Sequence, residues 1–466
     1  MCEGIADELR GIDLGDERLN RRSVKVIEAL AANPEASINA ACQGWGDTLA
    51  AYRLMDHDNV SHEQILLPHR RATVERMGKV PVVLIPQDTT ELDFTDHPPK
   101  DARCLNEKSR FGLYQHIHVA ATPDKVMLGV VDIEYFDRAP ESLGKTEKRS
   151  TLPIEKKESF RWLKGYRLAC ELAAQCPGTQ IVSVADSEAD IYDIFVEAQA
   201  QTGTRAEYII RAKEDRSTME RNPAAGKAAY HKVRDEVQRS TVLATRVIEL
   251  EATPKRKARQ ATIEIRALTV QVKPPHARSH LPPVTVSIVM AVEVGGPGDG
   301  TDISWLLITT LPIGTVDEVL KIVDYYGARW IVEVFFRTLK TGCCVEEIQL
   351  ETNRRLKNCL AFYNIIAWRI LYLTYMNRTT PALPCTAVFD DAEWKSVWRV
   401  VTHKSLPPTP PSLSEFMKLL SQLGGHNNRT RDRAPGPQTI WSGMRRMLDF
   451  ATAWLNFGPE RDQTYV

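Results

Sequence analysis

Three carboxylates in this sequence are placed where they can do metal chemistry. Asp88 and Asp186 each close an apolar, β-branched run, VPVVLIPQD and TQIVSVAD, and Glu333 sits among aromatic and basic residues in DYYGARWIVEVFFRTLKTG. A strand that ends in an acid delivers its carboxylate to the crevice beyond the sheet. Hard oxygen ligands of this kind hold Mg²⁺ while leaving positions for water and phosphate. Two such ions about 3.5–4 Å apart activate a nucleophile and stabilise a leaving oxygen. Residues 324–342 read as one helical run. At about 100° per residue, Tyr326, Arg329, Glu333 and Lys340 fall within an arc of roughly 60°. A phenol, a guanidinium, a carboxylate and an ammonium on one face suggest a site. Strand-terminal aspartate is common, however, and the spacing of three acids by itself proves nothing.

The elements that must position these residues follow from periodicity and punctuation. Asp16 can cap the helix ERLNRRSVKVIEALAA, which stops at Asn33-Pro34. GDTLAAYRLM gives a short second helix, and Ser61 with Gln64 form a capping box ahead of ILLPHRRATVERM. Strands are expected at 80–94, in YQHIHVAAT and in VMLGVVDIEYF, followed by an amphipathic helix in EKKESFRWLKGYRLACELAAQ. The strand ending at Asp186 turns into another helix, DIYDIFVEAQA. This order implies a mixed sheet flanked by helices. A β-rich stretch then runs through AEYIIRAK, TVLATRVIELEA, ATIEIRALTVQV, VTVSIVMAVEV and ISWLLITTLP. Between 205 and 259 it carries 14 basic against 8 acidic residues, some of them in the connection TPKRKARQ. After the 324–342 helix comes RRLKNCLAFYNIIAWRILYLTYM, then a proline-rich break, SLPPTPPS, and two amphipathic helices in a small final domain. No internal repeat is present.

Bulk properties narrow the class without naming it. The chain has 466 residues, with 60 Lys+Arg against 60 Asp+Glu, so any polyanion-binding surface must be local. Nine cysteines form no CxxC pair or regular framework, which reads as reduced thiols. The acidic N-terminus is unlike an export signal, and no run approaches the ~18 apolar residues of a membrane span. A soluble intracellular protein is expected, with no membrane partner.

The spacing Tyr326-x2-Arg329-x3-Glu333-x6-Lys340 resembles the Y-R-E-K signature of bacterial cut-and-paste DDE transposases, in the insertion-sequence branch with a β-rich insertion. QDTT at Asp88, DSEADIY at Asp186, EKKESFRW before it and LGDERLNRR near the N-terminus agree in order, so the similarity covers nearly the whole chain. One departure is Ser187, where such proteins commonly carry Arg in D-R-E-A-D.

The resemblance implies an α/β, RNase-H-like core over 76–379, with the β-rich insertion at about 212–310. It further implies an N-terminal helical DNA-binding domain over 1–75 and a C-terminal helical dimerisation domain over 380–466. Asp88, Asp186 and Glu333 would bind two Mg²⁺ ions, with Mn²⁺ able to substitute. Tyr326, Arg329 and Lys340 would hold DNA at the cleaved phosphodiester. Arg211 and Lys213 in YIIRAK match DNA-contacting positions, the bland alternative being exposed strand residues. Arg18, Arg21 and Arg22 would meet the terminal inverted repeat, although by spacing alone they are equally a solvated helix face. Trp305 is either a core strand tryptophan or, as the resemblance favours, a platform for a flipped base, a stack worth about 1–3 kcal/mol.

The implied reaction nicks one strand at the element end. The freed 3′-OH then forms a hairpin on the opposite strand, which is opened before joining to target DNA. Partners would be the element's terminal repeats, target DNA and a second copy of the chain in a synaptic complex, in a bacterial cytoplasm at the nucleoid. Two other readings stand beside it: a nuclease of the same fold that cuts without joining, and a domesticated or inhibitory end-binding protein without catalysis. Other features read as bland. His276 and His280 lie between prolines in a loop, Cys343-Cys344 lack a second pair for zinc, and GGPGDG lacks a phosphate-loop lysine.

Overall fold

The computed structural model describes residues 4–42, 44–138, 152–225, 229–250, 257–429 and 435–458. Helices α1 (Glu17–Ala32), α2 (Ile38–Ala41), α3 (Trp45–Met55) and α4 (His62–Met77) come first. Strands β1 (Val82–Asp93), β2 (Arg103–Cys104), β3 (Phe111–Ala121) and β4 (Met127–Phe136) follow, then α5 (Phe160–Gln175), β5 (Gln180–Ala185), α6 (Tyr192–Ala200) and β6 (Glu207–Arg211). The β-rich stretch holds β7 (Ser217–Arg221), β8 (Tyr230–Lys232), α7 (Val233–Arg239), β9 (Ala244–Leu250), β10 (Arg259–Val272), β11 (Val284–Val294) and β12 (Ser304–Thr309). Last come α8 (Val316–Ala328), α9 (Ile331–Arg337), a π-helical turn at Thr338–Gly342, α10 (Asn353–Thr379), α11 (Asp391–Thr402), α12 (Leu413–Leu423) and α13 (Pro437–Phe457). The mixed α/β class is as expected.

By its contacts the chain divides into two units, one of Met1–Arg76, Thr89–Leu143 and Ile331–Val466, the other of Met77–Asp88 and Gly144–Trp330. In the first unit the predicted caps form. Asp16 accepts the Arg18 amide at 2.8 Å, and Ser61 and Gln64 exchange bonds at 3.0 and 3.4 Å. The core gathers on α10, where Leu356, Cys359, Leu360, Phe362, Ile365 and Trp368 are fully buried. This helix is long and apolar enough to cross a membrane, yet 83% of its apolar window lies inside the protein, as in a central core helix. Strand β3 pairs antiparallel with β2 and β4. Phe389, Trp394, Phe416, Leu420 and Met447 from the last helices build a further cluster on Leu373 of α10.

In the second unit, β1 and β5 pair in parallel, as do β5 and β6. Both acid-bearing strands are buried runs without alternation, the pattern of strands covered on both faces. Antiparallel pairings continue the order from β6 through β12, β11, β10 and β7 to β8, with β9 also on β10. Thr315 and Glu318 cap α8 reciprocally, at 2.9 and 3.3 Å, and so fix the start of the helix that carries Tyr326.

Three expectations need correction. Residues 324–342 are not one helix. The Arg329 amide bonds the Tyr326 carbonyl only three residues back, α8 ends there, and α9 begins at Ile331. At the far end, the Cys343 amide reaches the Thr338 carbonyl, widening the turn that carries Lys340. The single-helix stripe is therefore an approximation. Nor does Asp88 end its strand: β1 runs on to Asp93, and its parallel pairing with β5 stops short of Asp88, at Pro86. Finally, the β-rich stretch is not strands alone and holds more than the five runs named: the hairpin β7–β8 and helix α7 lie between AEYIIRAK and TVLATRVIELEA, where STMER and YHK show little apolar alternation. The basic connection expected at 253–260 lies in part, at 253–256, outside the described residues. His276–Arg278 is a 3-10 turn in a loop, as expected, and the eight described cysteines are all free.

Candidate active site

Strand register places the first pair of acids. The parallel pairs Val82↔Gln180 to Pro86↔Val184 put Asp88 and Asp186 at equivalent positions, each two residues past the last pair. Likewise Val182↔Glu207 to Ala185↔Ile210 puts Arg211 next to Asp186 in register. Arg329 donates from Nη1 to Asp88 Oδ2 at 2.6 Å, with both side chains largely buried. Asp186 accepts the Glu188 amide at 2.8 Å, which starts a 3-10 turn directly after β5.

Tyr326 ties this group together. Burial pushes its phenol up from the ordinary value. Arg329 and Arg211 pull the other way, Asp186 adds to the rise, and Arg211 hydrogen-bonds the phenol. The ring of Trp305 on β12 meets that of Tyr326 edge-on, with centroids 5.0 Å apart. Trp305 is half-buried at the margin of the core cluster that includes Leu307 and Val323. Six of the residues nominated from sequence, Asp88, Asp186, Arg211, Trp305, Tyr326 and Arg329, thus adjoin one another within one unit. Lys213 lies exposed on the loop after β6.

Sequence reasoning missed what braces this group. The three acids of DSEAD point to three different partners. Asp186 caps its own turn, as above. Glu188 takes the guanidinium of Arg161 at 3.0 Å, which links EKKESFRW to DSEADIY by direct contact. Asp190 forms an ion pair with Arg216, both nearly inaccessible, and accepts the amides of Lys213 and Glu214 at 2.9 Å each. The loop that carries Lys213 is therefore fastened four residues beyond Asp186. The even spacing of acids in DSEAD was the available signal. Ser187, the departure from the familiar motif, exposes no contact that would explain it.

In the other unit, Glu333 is half-buried on α9. Lys340 pairs with Glu346 at 3.3 Å, and the same Glu346 oxygen accepts the Asp93 amide at 2.9 Å. Arg18, Arg21, Arg22 and Lys25 line one groove of about 530 Å³ with Asp47 and Ala50 of α3. Arg18 is paired to the half-buried Asp16 at 2.8 Å and Arg21 to Glu17 at 3.5 Å, with both arginines and Glu17 well exposed.

Asp88 and Asp186 supply hard carboxylate oxygens from neighbouring strands, a donor set suited to Mg²⁺ or Mn²⁺. Among the described residues no group of three His, Cys, Asp or Glu is assembled for a metal, and Asp88 is held by a guanidinium. The chemistry of the pair fits a divalent cation.

Comparison with known proteins identifies the family. A transposase DNA-binding family model matches residues 1–60, a transposase DDE domain matches 159–368, and a transposase Tn5 dimerisation domain matches 365–454. Together they define the class: a DDE transposase with an RNase-H-like fold, a metal-dependent enzyme that cuts DNA and transfers strands. The chain belongs to the Tn5-type DDE transposases. Among solved structures, the cryo-EM structure of a piggyBac transposase synaptic complex with hairpin DNA matches over 93% of this chain and 71% of that one. Its identity is 11% and its TM-score 0.36.

Proposed function

We propose that this transposase excises its element through a hairpin and rejoins it with two divalent ions, Asp88, Asp186 and Glu333 being the metal ligands. The observation that carries the reading is the Arg329–Asp88 salt bridge on a strand whose parallel neighbour delivers Asp186. Bound at these carboxylates, Mg²⁺ or Mn²⁺ would activate the attacking oxygen and stabilise the leaving one. The chain's own residues do the positioning. Arg329 and Lys340 neutralise phosphate oxygens, Arg in a bidentate fork. Tyr326, its phenol kept protonated by burial, donates to the DNA backbone, and Arg211 and Lys213 hold the strand beside Asp186.

Water first attacks the phosphorus at the element end, breaking the P–O3′ bond and leaving a 3′-OH. That hydroxyl attacks the opposite strand to close a hairpin, a second water opens it, and the 3′-OH then displaces a 3′-oxygen in target DNA. Trp305 receives the base flipped out beside the hairpin. The cation-lined groove of α1, with Arg18, Arg21 and Arg22, seats the terminal inverted repeat. The helical region over 380–466 joins two copies into a synaptic complex, and the catalytic domain spans 76–379 between the two. The protein would work at the nucleoid of a bacterial cytoplasm.

A strand-resolved cleavage assay tests this, using the element's own terminal repeats, Mg²⁺, the intact protein and Glu333→Ala. Metal-dependent nicks followed by hairpins, both lost in the variant, are expected. Specific binding without cleavage by the intact protein would instead mark an end-binding or regulatory descendant.

A further inference from the structure

The β7–β8 hairpin and the adjoining end of β10, which are absent from the roles assigned above, bring together cations that have no ion-pair partner among the described residues. Arg221 and Tyr230 are cross-strand partners. The Arg221 guanidinium lies 4.3 Å from the centre of the Tyr230 ring, and the Lys273 ammonium lies 3.9 Å from the same centre. Lys273 is fixed there by its own backbone, whose amide bonds the Ser217 carbonyl at 2.9 Å where β10 runs alongside β7. Lys232, next along β8, gives its ammonium to the Asp215 carbonyl and the Ser217 hydroxyl, at 3.0 and 3.2 Å.

These cations differ from their neighbours. Arg216 is committed to Asp190 and Arg239 to Glu236. Among the described residues, no carboxylate oxygen stands within ion-pair distance of Arg221, Lys273 or Lys232. Two like charges packed against one ring repel each other, and the ring's π face attracts each only weakly when exposed. The arrangement holds its positive charges forward and leaves them for an anion from outside. Arg221 is exposed, as is Met219 two residues before it. Basic residues interleaved with an aromatic ring and an apolar side chain are the surface that nucleic-acid backbones take.

We propose that Arg221, Tyr230 and Lys273 form a contact for the DNA sugar-phosphate backbone, separate from the acid-bearing strands and from α1. It serves to hold duplex in place and carries no base readout. The proposal rests on the chain being a DNA-acting enzyme, and its test separates the two claims. The full-length protein is titrated with duplex carrying the terminal repeats and with a scrambled duplex, over a series of salt concentrations. The double variant Arg221→Gln/Lys273→Gln should bind both duplexes more weakly. The slope of log affinity against log salt should become shallower by about one for each cation removed, with an unchanged melting temperature. Arg221→Glu should weaken binding further, while the swap Arg221→Lys/Lys273→Arg should retain it. Unchanged affinity and slope in the double variant would overturn the proposal, provided the wild type binds in a salt-dependent way and Arg22→Gln weakens it. A loss confined to the terminal-repeat duplex would also overturn it, since a backbone contact cannot tell the two sequences apart. A wild type that binds neither duplex would instead overturn the DNA-binding reading itself.

Discussion

Arg329 closes a salt bridge of 2.6 Å onto Asp88, a residue 241 positions away in sequence. Both side chains are largely out of water. A cation arriving at Asp88 must therefore share the carboxylate with Arg329 or displace it. Arg329→Gln removes the competitor. We expect the Mn²⁺ concentration that half-saturates the metal-induced rise in melting temperature to fall roughly tenfold, a modest fraction of a unit-charge interaction at this range. DNA cleavage should nevertheless drop about 100-fold or more, because the same guanidinium is needed at the phosphate. An unchanged Mn²⁺ requirement would show that Arg329 does not compete for Asp88.

Trp305 and Tyr326 meet edge-on at 5.0 Å, so Trp305 has a packing partner whether or not it also takes a base. The two roles separate kinetically. Trp305→Ala is expected to slow hairpin formation about tenfold or more relative to the first nick, in line with losing one base stack. Trp305→Phe should restore much of the difference. Single-turnover assays that resolve nicked, hairpin and excised DNA measure both steps, and equal slowing of both would reduce Trp305 to a core residue.

A pH dependence of stability follows from Glu8, His69 and Arg76 in the first unit. Val130 donates its amide to His69 Nε2 at 2.9 Å, so the ring proton sits on Nδ1 and faces Glu8, with which His69 is in close contact. Burial drives the His69 pKa below its ordinary 6.5, against the pull of Glu8. Burial also pushes the Glu8 carboxyl up, but His69 and Arg76 outweigh it and hold the group well below its ordinary 4.5. Both folded values are depressed. The associated stability is thus complete above 6.5 for His69 and above 4.5 for Glu8, and is lost as pH falls past each. The wild type's unfolding free energy from urea titration should be level from pH 7 to 8 and then decline by up to about 1.4 kcal/mol per pH unit below 6.5. His69→Gln should be less stable at pH 7.5 but flatter between 7 and 5. Parallel declines in both proteins would assign the effect to other groups.

Local chemistry alone determined a good deal of this protein. The Asp16 cap, the Ser61–Gln64 box, the buried strands that lead to Asp88 and Asp186, and the long apolar helix at α10 were all legible. Each depends on residues within a few positions of one another, where propensity, capping and burial act together. Tertiary structure decided the rest. It broke the 324–342 run at Arg329, where a three-residue hydrogen bond replaces the helical one and the side chain reaches Asp88. It distributed the acids of DSEAD among a turn, Arg161 and Arg216, partners that lie up to 27 residues away. It also built the β7–β8 hairpin from strands too short and too polar to show a period, held by Tyr230, Lys273 and the edge of β10. Periodicity reports which face of an element is buried. Which charge stands opposite which is set by strand register and chain crossing, and these exist only once distant segments have paired.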